Sequence, residues 1–553
     1  MSARKKYLLL ACILIIATFL RLYHFTWTPP GLYPDEAMDG NNALEAYHAP
    51  NFWSALKVYY PEDNGREGLY VNTIALLMKA TGGIHEPWIV RLPAAISGIL
   101  TVLGMFYLVS ELFREHDDKG STDPGLRRED KGAFENWKLK IENSEVALLA
   151  AFLLATSFWH INFSRIGFRA IMAPLFLTWA LYFLLKAIRA GNFQSSIFPP
   201  KADPPLADNF QKRWVFAVLG GISFGLGFYT YIAYRVSPLL LLLFVPFFRR
   251  EKYFWKATLV FLAVAFVVAL PIGLYYLHHP GDFFGRTSQI SVSNSASPVK
   301  DLAVNIAKTL GMFNIHGDNN WRQNISGAPE LYWPVGLLFL LGIVLGLRSF
   351  FKKEPPDSAL SVKFSIFNFS AKGGSASGGQ FSNSLLFLWF ILAMLPVVLS
   401  DEGIPHALRS ILMIPPVIIF AAIGGVALYR WLAVRMRASW LKPAAWIFLA
   451  VLAAQAYVAY FDVWAKNPNV PGAFNADYAA IGREINALPA NEPKYVVVDA
   501  GGVLARGIPV PAETTMFITD TFTDAEQQAK SIHYLLPAGA STIPVGATVF
   551  HLQ

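Results

Sequence analysis

Apolar runs of about 12 to 22 residues recur along this chain, most of them about long enough to cross the ~30 Å hydrocarbon core of a bilayer as a helix. The first covers 7–22, and others fall near 92–113, 146–161, 173–188, 214–232, 237–248, 257–277, 333–347, 385–399, 411–428 and 443–460. The pattern predicts an all-α polytopic membrane protein with about eleven spans. Ser2-Ala3-Arg4-Lys5-Lys6 ahead of the first run has the basic start of a signal peptide, but no small-residue cleavage site follows. An uncleaved first span with a cytoplasmic N-terminus is therefore expected.

Segment 68–83 is apolar enough to be a further span, and its status inverts everything after it. If it lies along the outer surface, the basic loops 249–252, 348–353 and 430–442 fall in the cytoplasm; if it spans, all three are exported. The positive-inside rule selects the first arrangement, a half-submerged juxtamembrane helix in the first outer loop. The loop with Asp35 and Glu36, the turns 160–169, 229–235 and 400–409, the long loop 278–332 and the tail after 461 then face out together. The inner loops carry little chemistry: 129–143 is mixed in charge, 199–205 proline-rich and 371–380 a Gly/Ser-rich linker.

Composition agrees. At 54% hydrophobic and 15% charged residues the chain is outside the range of soluble globular proteins. Cys12 is the only cysteine, which excludes an intrachain disulfide and a cysteine-based metal site. The net charge of +8 comes from Lys and Arg flanking apolar runs, so nucleic acid is not an expected partner. No internal repeat of fixed period is visible, which weighs against a transporter.

After about residue 461 the character changes, and the expected division is a membrane domain over 1–461 and a small extracytoplasmic α/β domain over 462–553. Segments 495–499 and 515–519 read as strands and 478–488 as an amphipathic helix. An acceptor-orienting role and a purely structural role both stay open for it.

The candidate chemistry lies on the outer face. Asp35 and Glu36, in Tyr33-Pro34-Asp35-Glu36-Ala37, are adjacent carboxylates just beyond the first span, suited to taking a proton from a hydroxyl or to starting a juxtamembrane helix. Arg165, Arg235 and Arg409 stand at outer ends of spans, where a lipid phosphate would lie and where arginines also snorkel to headgroups. In the long loop, 317–324 (Gly-Asp-Asn-Asn-Trp-Arg-Gln-Asn) has the amide, acid and aromatic content of sugar recognition, with Asp318 and Arg322 as candidate substrate contacts and Trp321 as a candidate surface anchor. Asn324-Ile325-Ser326 is an N-glycosylation sequon, informative only in an organism that exports through an endoplasmic reticulum. Glu67, His278 and His279 are candidate ligands for a divalent metal such as zinc, the one cofactor the sequence suggests.

Tyr33-Pro34-Asp35-Glu36-Ala37, Val90-Arg91-Leu92-Pro93-Ala94-Ala95 opening the second span and Phe163-Ser164-Arg165 after the third resemble the GT-C superfamily of integral-membrane glycosyltransferases. Within it the chain is similar to the branch of protein O-mannosyltransferases and the bacterial aminoarabinose transferase of lipid A. Pro405-His406-Ala407-Leu408-Arg409 resembles bacterial members of that branch, which makes His406 a further candidate substrate contact and a bacterial plasma membrane the expected location. The similarity covers about 7–460 and not the tail.

The resemblance implies a sugar donor on a polyprenyl phosphate and inverting transfer to an extracytoplasmic hydroxyl of a glycan, lipid or protein. It also implies a first-loop aspartate as general base: Asp35 matches that position and Glu36 its neighbour. One departure stands out. The aminoarabinose type carries a second aspartate a few residues after the Ser-Arg, and here the run Arg165-Ile166-Gly167-Phe168-Arg169 has none. That leaves the acceptor, and any metal that aspartate would hold, open. A flippase of a lipid-linked saccharide would use the same outer arginines without a base, and a glycan-binding membrane protein would bind sugar without turnover.

Overall fold

The computed structural model describes residues 2–62, 65–114, 143–189, 207–351, 378–436 and 439–553. The stretches 129–142, 199–205 and 371–377 lie outside them. Helix α1 (Ala3–Leu22) is capped by Ser2, whose side chain accepts from the Lys5 N–H. Next come α2 (Pro34–His48), the short α3 (Phe52–Ala55), an antiparallel ribbon of β1 (Tyr59–Tyr60) and β2 (Arg66–Glu67), and α4 (Gly68–Thr81). Pro87 occupies the first position of α5 (Pro87–Leu112), where its missing N–H costs nothing. Then follow α6 (Asn143–Thr156), α7 (Phe158–Phe163), α8 (Met172–Arg189), α9 (Ala207–Gly227), α10 (Pro238–Leu242), α11 (Phe244–Phe248) and α12 (Phe254–His278). Two helices of the long loop, α13 (Pro280–Gln289) and α14 (Pro298–Gly311), lead into α15 (Trp333–Phe351), α16 (Gly378–Val398), α17 (Ile414–Met436) and α18 (Leu441–Tyr457).

The chain is thus a mainly helical polytopic integral membrane protein with a small C-terminal sheet region. Among the described residues, 6 helices are long and apolar enough to cross a bilayer, and shorter apolar helices cover Ser144–Thr156, Arg213–Gly227, Ile232–Phe248 and Trp333–Arg348. Two expected spans are broken. Ser157 leaves the helix between α6 and α7 and caps the latter, its side chain accepting from the His160 N–H. Pro246 has no N–H with which to continue α10, so 237–248 divides into α10 and α11.

Helix α17 lies at the centre of the bundle, almost wholly buried, whereas α12 and α18 line the outside. Outward side chains such as Leu259, Phe266 and Leu277 would face lipid. Close crossing of α15 and α17 needs glycine on both sides: a Cβ on Gly342 would lie 1.9 Å from the Phe420 carbonyl oxygen, and one on Gly424 2.0 Å from that of Leu338. Small residues that let backbones touch are how helices associate where no hydrophobic effect drives them.

Hydrogen bonds sort the loops by end. Asn162 reaches the Arg322 carbonyl, Ala407 N–H the Asp318 carboxylate, Arg235 the Phe283 carbonyl and Trp464 the Trp321 carbonyl. The segments expected to face out therefore share one end. At the other end Arg430 pairs with Glu145 and Lys186 with Glu111. α1 finishes and α5 begins at the first end, so α4 does not carry the chain across; Tyr70 of α4 donates to the Val90 carbonyl at 2.7 Å.

Beyond α18 a short π-helical turn (Val458–Trp464) leads through α19 (Asn469–Ala473) and α20 (Ala476–Ala487) to a parallel sheet of order β6-β3-β7, made of β3 (Lys494–Val498), β6 (Ile532–Leu535) and β7 (Thr548–Leu552). Between β3 and β6 lie the hairpin β4 (Leu504–Ala505) and β5 (Ile508–Pro509), then α21 (Glu513–Thr519) and α22 (Asp524–Ala529). Segment 515–519 is thus helical, not the expected strand. Every residue of α21 is buried, and a short apolar run buried on all sides has no period that separates strand from helix. The core of this region takes in Met38 of α2 beside Tyr478, Val496, Phe522 and Leu552.

Candidate active site

Local sequence sets where α2 begins. Pro34 takes the first helical position, and Glu36 reaches back so that Oε2 accepts from the Tyr33 N–H at 3.0 Å. The same carboxylate, wholly buried, also accepts from Arg91 Nε at 2.8 Å, Arg91 Nη2 at 3.0 Å and the Gly167 N–H at 2.5 Å. Arg91 in turn donates to the Pro29 and Gly31 carbonyls. Gly31 sits at φ +69°, and a Cβ there would meet the Phe474 carbonyl oxygen at 2.3 Å, so the first loop is pressed against the C-terminal region. Glu36 therefore staples the first loop, α5 and the turn after α7.

Its neighbour Asp35 turns outward, with a side chain 45% exposed. Asp35 lies in the first turn of α2, where unsatisfied N–H groups favour an anion. Arg66 of β2 donates from Nη1 to the Asp35 carbonyl at 2.6 Å and to Asp39 Oδ1 at 3.1 Å, while Nη2 stands 3.4 Å from Asp35 Oδ1. Successive residues of a strand point to opposite faces, so Glu67 faces away from α2. It meets Arg169 at 3.0 Å and Arg235 at 3.9 Å. Arg235 also donates to the Phe283 carbonyl and Tyr276 hydroxyl and lies 4.1 Å over the Phe283 ring. Burial first, then the carboxylates of Glu67 and Asp282, push the Tyr59 phenol of the ribbon up to about 12, so it stays a proton donor at neutral pH.

Asp35, Asp39 and Glu67 thus balance Arg66, Arg169 and Arg235. Arg322 adds an uncompensated cation: it lies 3.7 Å over the Tyr33 ring, donates from Nε to Asn320 Oδ1 at 3.3 Å, and makes no ion pair among the described residues. Burial lowers its pKa to about 10, which leaves it charged at neutral pH.

The other predicted residues are placed as follows. Arg165 is wholly buried, donates to the Leu20 and Thr28 carbonyls, and lies between the rings of Tyr460 and Phe461. Arg409 donates to Ser400 Oγ and the Glu402 carbonyl. Both fasten loops through short-range bonds to protein oxygens. Asp318 accepts from the Asn320 and Ala407 N–H groups at 2.8 Å each, with His406 Nδ1 3.9 Å away. Burial outweighs those donors and the Arg409 cation and raises its carboxyl to about 6. Glu330 accepts from the Asp318 N–H, and burial pushes it well above the ordinary carboxylate range. Trp321 is half-buried, and Asn324 of the sequon is buried with its amide donating to the Asp318 and Ala328 carbonyls.

The structure does not bring the predicted metal ligands together. His278 and His279 each direct Nδ1 to the carbonyl four residues back, while Glu67 is held by arginines. Among the described residues, the trio with ligand atoms within 4.8 Å of one another is His48, Asp520 and Glu526. Asp520 there already pairs with Lys530.

Sequence reasoning did not single out Arg66, Asp39 or Arg169 as site residues, and it passed over the hold of Arg91 on Glu36. Arg91 stands in the motif that opens the second span, and Arg169 stands where a carboxylate was expected. The charged pair Arg66-Glu67 between Tyr59-Tyr60 and an apolar helix is a further signal in hindsight.

No family model matches the chain, and no curated protein sequence matches it. Among solved structures it is similar to ArnT from Cupriavidus metallidurans bound to undecaprenyl phosphate, with a TM-score of 0.49 and 12% identity over 97% of this chain and 90% of that one. It is also similar to an oligosaccharyltransferase from Archaeoglobus fulgidus in the apo form, with a TM-score of 0.48 and 12% identity over 93% of this chain and 64% of that one. A third similarity is to the protein O-mannosyltransferase Pmt1-Pmt2 complex of S. cerevisiae bound to its sugar donor, with a TM-score of 0.34 and 18% identity over 51% of this chain and 35% of that one. These likenesses concern the arrangement of helices alone.

Proposed function

We propose that this protein is an inverting membrane glycosyltransferase that moves a sugar from a polyprenyl phosphate to an extracytoplasmic hydroxyl. The observation that carries the reading is Asp35, a half-exposed carboxylate at the start of a helix, set among arginines at the end of an apolar bundle. As general base it would take the acceptor O–H proton while the acceptor oxygen bonds to the anomeric carbon. The bond from that carbon to the phosphate oxygen breaks, and polyprenyl phosphate leaves with the electron pair. Attack opposite the leaving group inverts the anomeric centre.

The leaving phosphate gains negative charge and needs cationic donors. Arg322 is our first choice, because its charge has no carboxylate partner, and Arg235 is the second. Arg165 and Arg409 fit the part of loop fasteners better, since they are more deeply buried than Arg235 and donate to protein oxygens. In this reading the end carrying Asp35 faces away from the cytoplasm, following the basic loops at the opposite end.

The test is release of polyprenyl phosphate from a panel of polyprenyl-phosphate sugars by purified protein in lipid. Wild type should release it, and Asp35→Asn should turn over about 10² to 10⁴ times more slowly while still binding donor. Undiminished turnover by Asp35→Asn would remove the base from Asp35; lipid movement without release would point to a flippase.

A further inference from the structure

The hairpin of β4 and β5 turns through Arg506 and Gly507, both at positive φ (+49° and +84°). Two-residue turns of this kind take Asn, Asp or Gly at their first position, where a bulky side chain is strained. Arginine is an unfavourable residue for that place. Its guanidinium lies 3.9 Å over the Phe522 ring and donates from Nη2 to Glu45 Oε2 at 2.9 Å and Glu62 Oε1 at 3.5 Å. Glu45 belongs to α2, and Glu62 to the turn of the ribbon that carries Arg66 and Glu67. One strained residue of the C-terminal region therefore fastens the turn of the ribbon to α2. At its other end Arg66 binds the same helix through Asp35 and Asp39. Strain kept at a contact of this kind indicates a use for the contact.

We propose that Arg506 is a positioning residue: through Glu62 and Glu45 it holds the β1–β2 ribbon in the register that sets Arg66 beside Asp35 and Glu67 between Arg169 and Arg235. This rests on the glycosyl-transfer reading only where turnover is concerned. The C-terminal region is then a working part of the transferase, although it contributes no group to the chemistry. Displacing a charged group by about 1 Å near reacting atoms can cost up to about a hundredfold in rate.

Arg506→Gly tests this in the full-length protein in lipid. Glycine accepts positive φ, so the hairpin should form as well as before and the unfolding temperature should not fall. Hydrogen exchange of the backbone amides of 59–67 should accelerate, and kcat should drop between about tenfold and a hundredfold with donor KM unchanged. Arg506→Lys, which keeps the cation, should recover part of the loss. Adding Glu62→Gln to Arg506→Gly should cost nothing further. Unchanged exchange over 59–67 would overturn the clamp, whether or not the protein transfers sugar. Accelerated exchange with undiminished kcat would overturn the positioning role.

Discussion

Replacing Glu36 by glutamine should damage the fold far more than the reaction. The carboxylate meets four donors, and two of them belong to Arg91, which is 1% exposed. The glutamine amide would retain acceptor capacity on one atom only and turn an N–H toward a donor on the other. Removing one partner of a buried ion pair costs about 3–5 kcal/mol. Arg91 keeps the Pro29 and Gly31 carbonyls, so the lower end, about 3 kcal/mol, is the figure expected here. Asp35→Asn weakens the 3.4 Å contact from Arg66 to a half-exposed group, a pair worth about 1 kcal/mol or less. The assay is thermal unfolding of both variants in lipid nanodiscs, paired with turnover per folded molecule. Glu36→Gln should unfold several degrees below wild type and Asp35→Asn close to it, while Asp35→Asn alone cuts turnover per folded molecule about 10² to 10⁴ fold. A Glu36→Gln protein that is as stable as wild type yet inactive would refute the scaffold role and put Glu36 in the chemistry.

Arg322→Ala should raise donor KM about tenfold to a hundredfold with little change in unfolding temperature, the loss of one charge-assisted phosphate contact being worth about 1.5–3 kcal/mol; an unchanged KM would take Arg322 out of donor binding. Asp318, raised by burial from 3.8 to about 6, contributes stability that is full below about 3.8 and is lost as pH rises through about 6. The unfolding temperature of wild type relative to Asp318→Asn should therefore fall across that window, and a flat difference would contradict the burial of the carboxyl.

Much of this was readable before any coordinates. Apolar runs located the helices because crossing a bilayer leaves the sequence little freedom, and the basic loops settled that α4 stays on one side. Asp35 stood out because a carboxylate pair beside a membrane has few uses. The family resemblance put the base on Asp35, but the residue pattern alone did not separate Asp35 from Glu36, since only the approach of Arg91 and Gly167, 55 and 131 residues away, makes the second a staple. The same holds for the arginines: Arg165 and Arg409 look as available as Arg322 until the carbonyls that hold them are located. In the tail, β-branched and aromatic residues of 515–519 suggested a strand, but packing against α2 and α20 imposed a helix.

Met38 of α2 belongs to the core closed by Val496 and Leu552, and Asn41 donates to Glu513, 472 residues further on. At about 5–20 residues per second, the ribosome takes on the order of a minute after making α2 to make its covering. Through that interval the side of α2 that carries Met38 and Asn41 has no partner. Any nascent chain that stops short of residue 513 leaves this side of α2 uncovered and open to quality control.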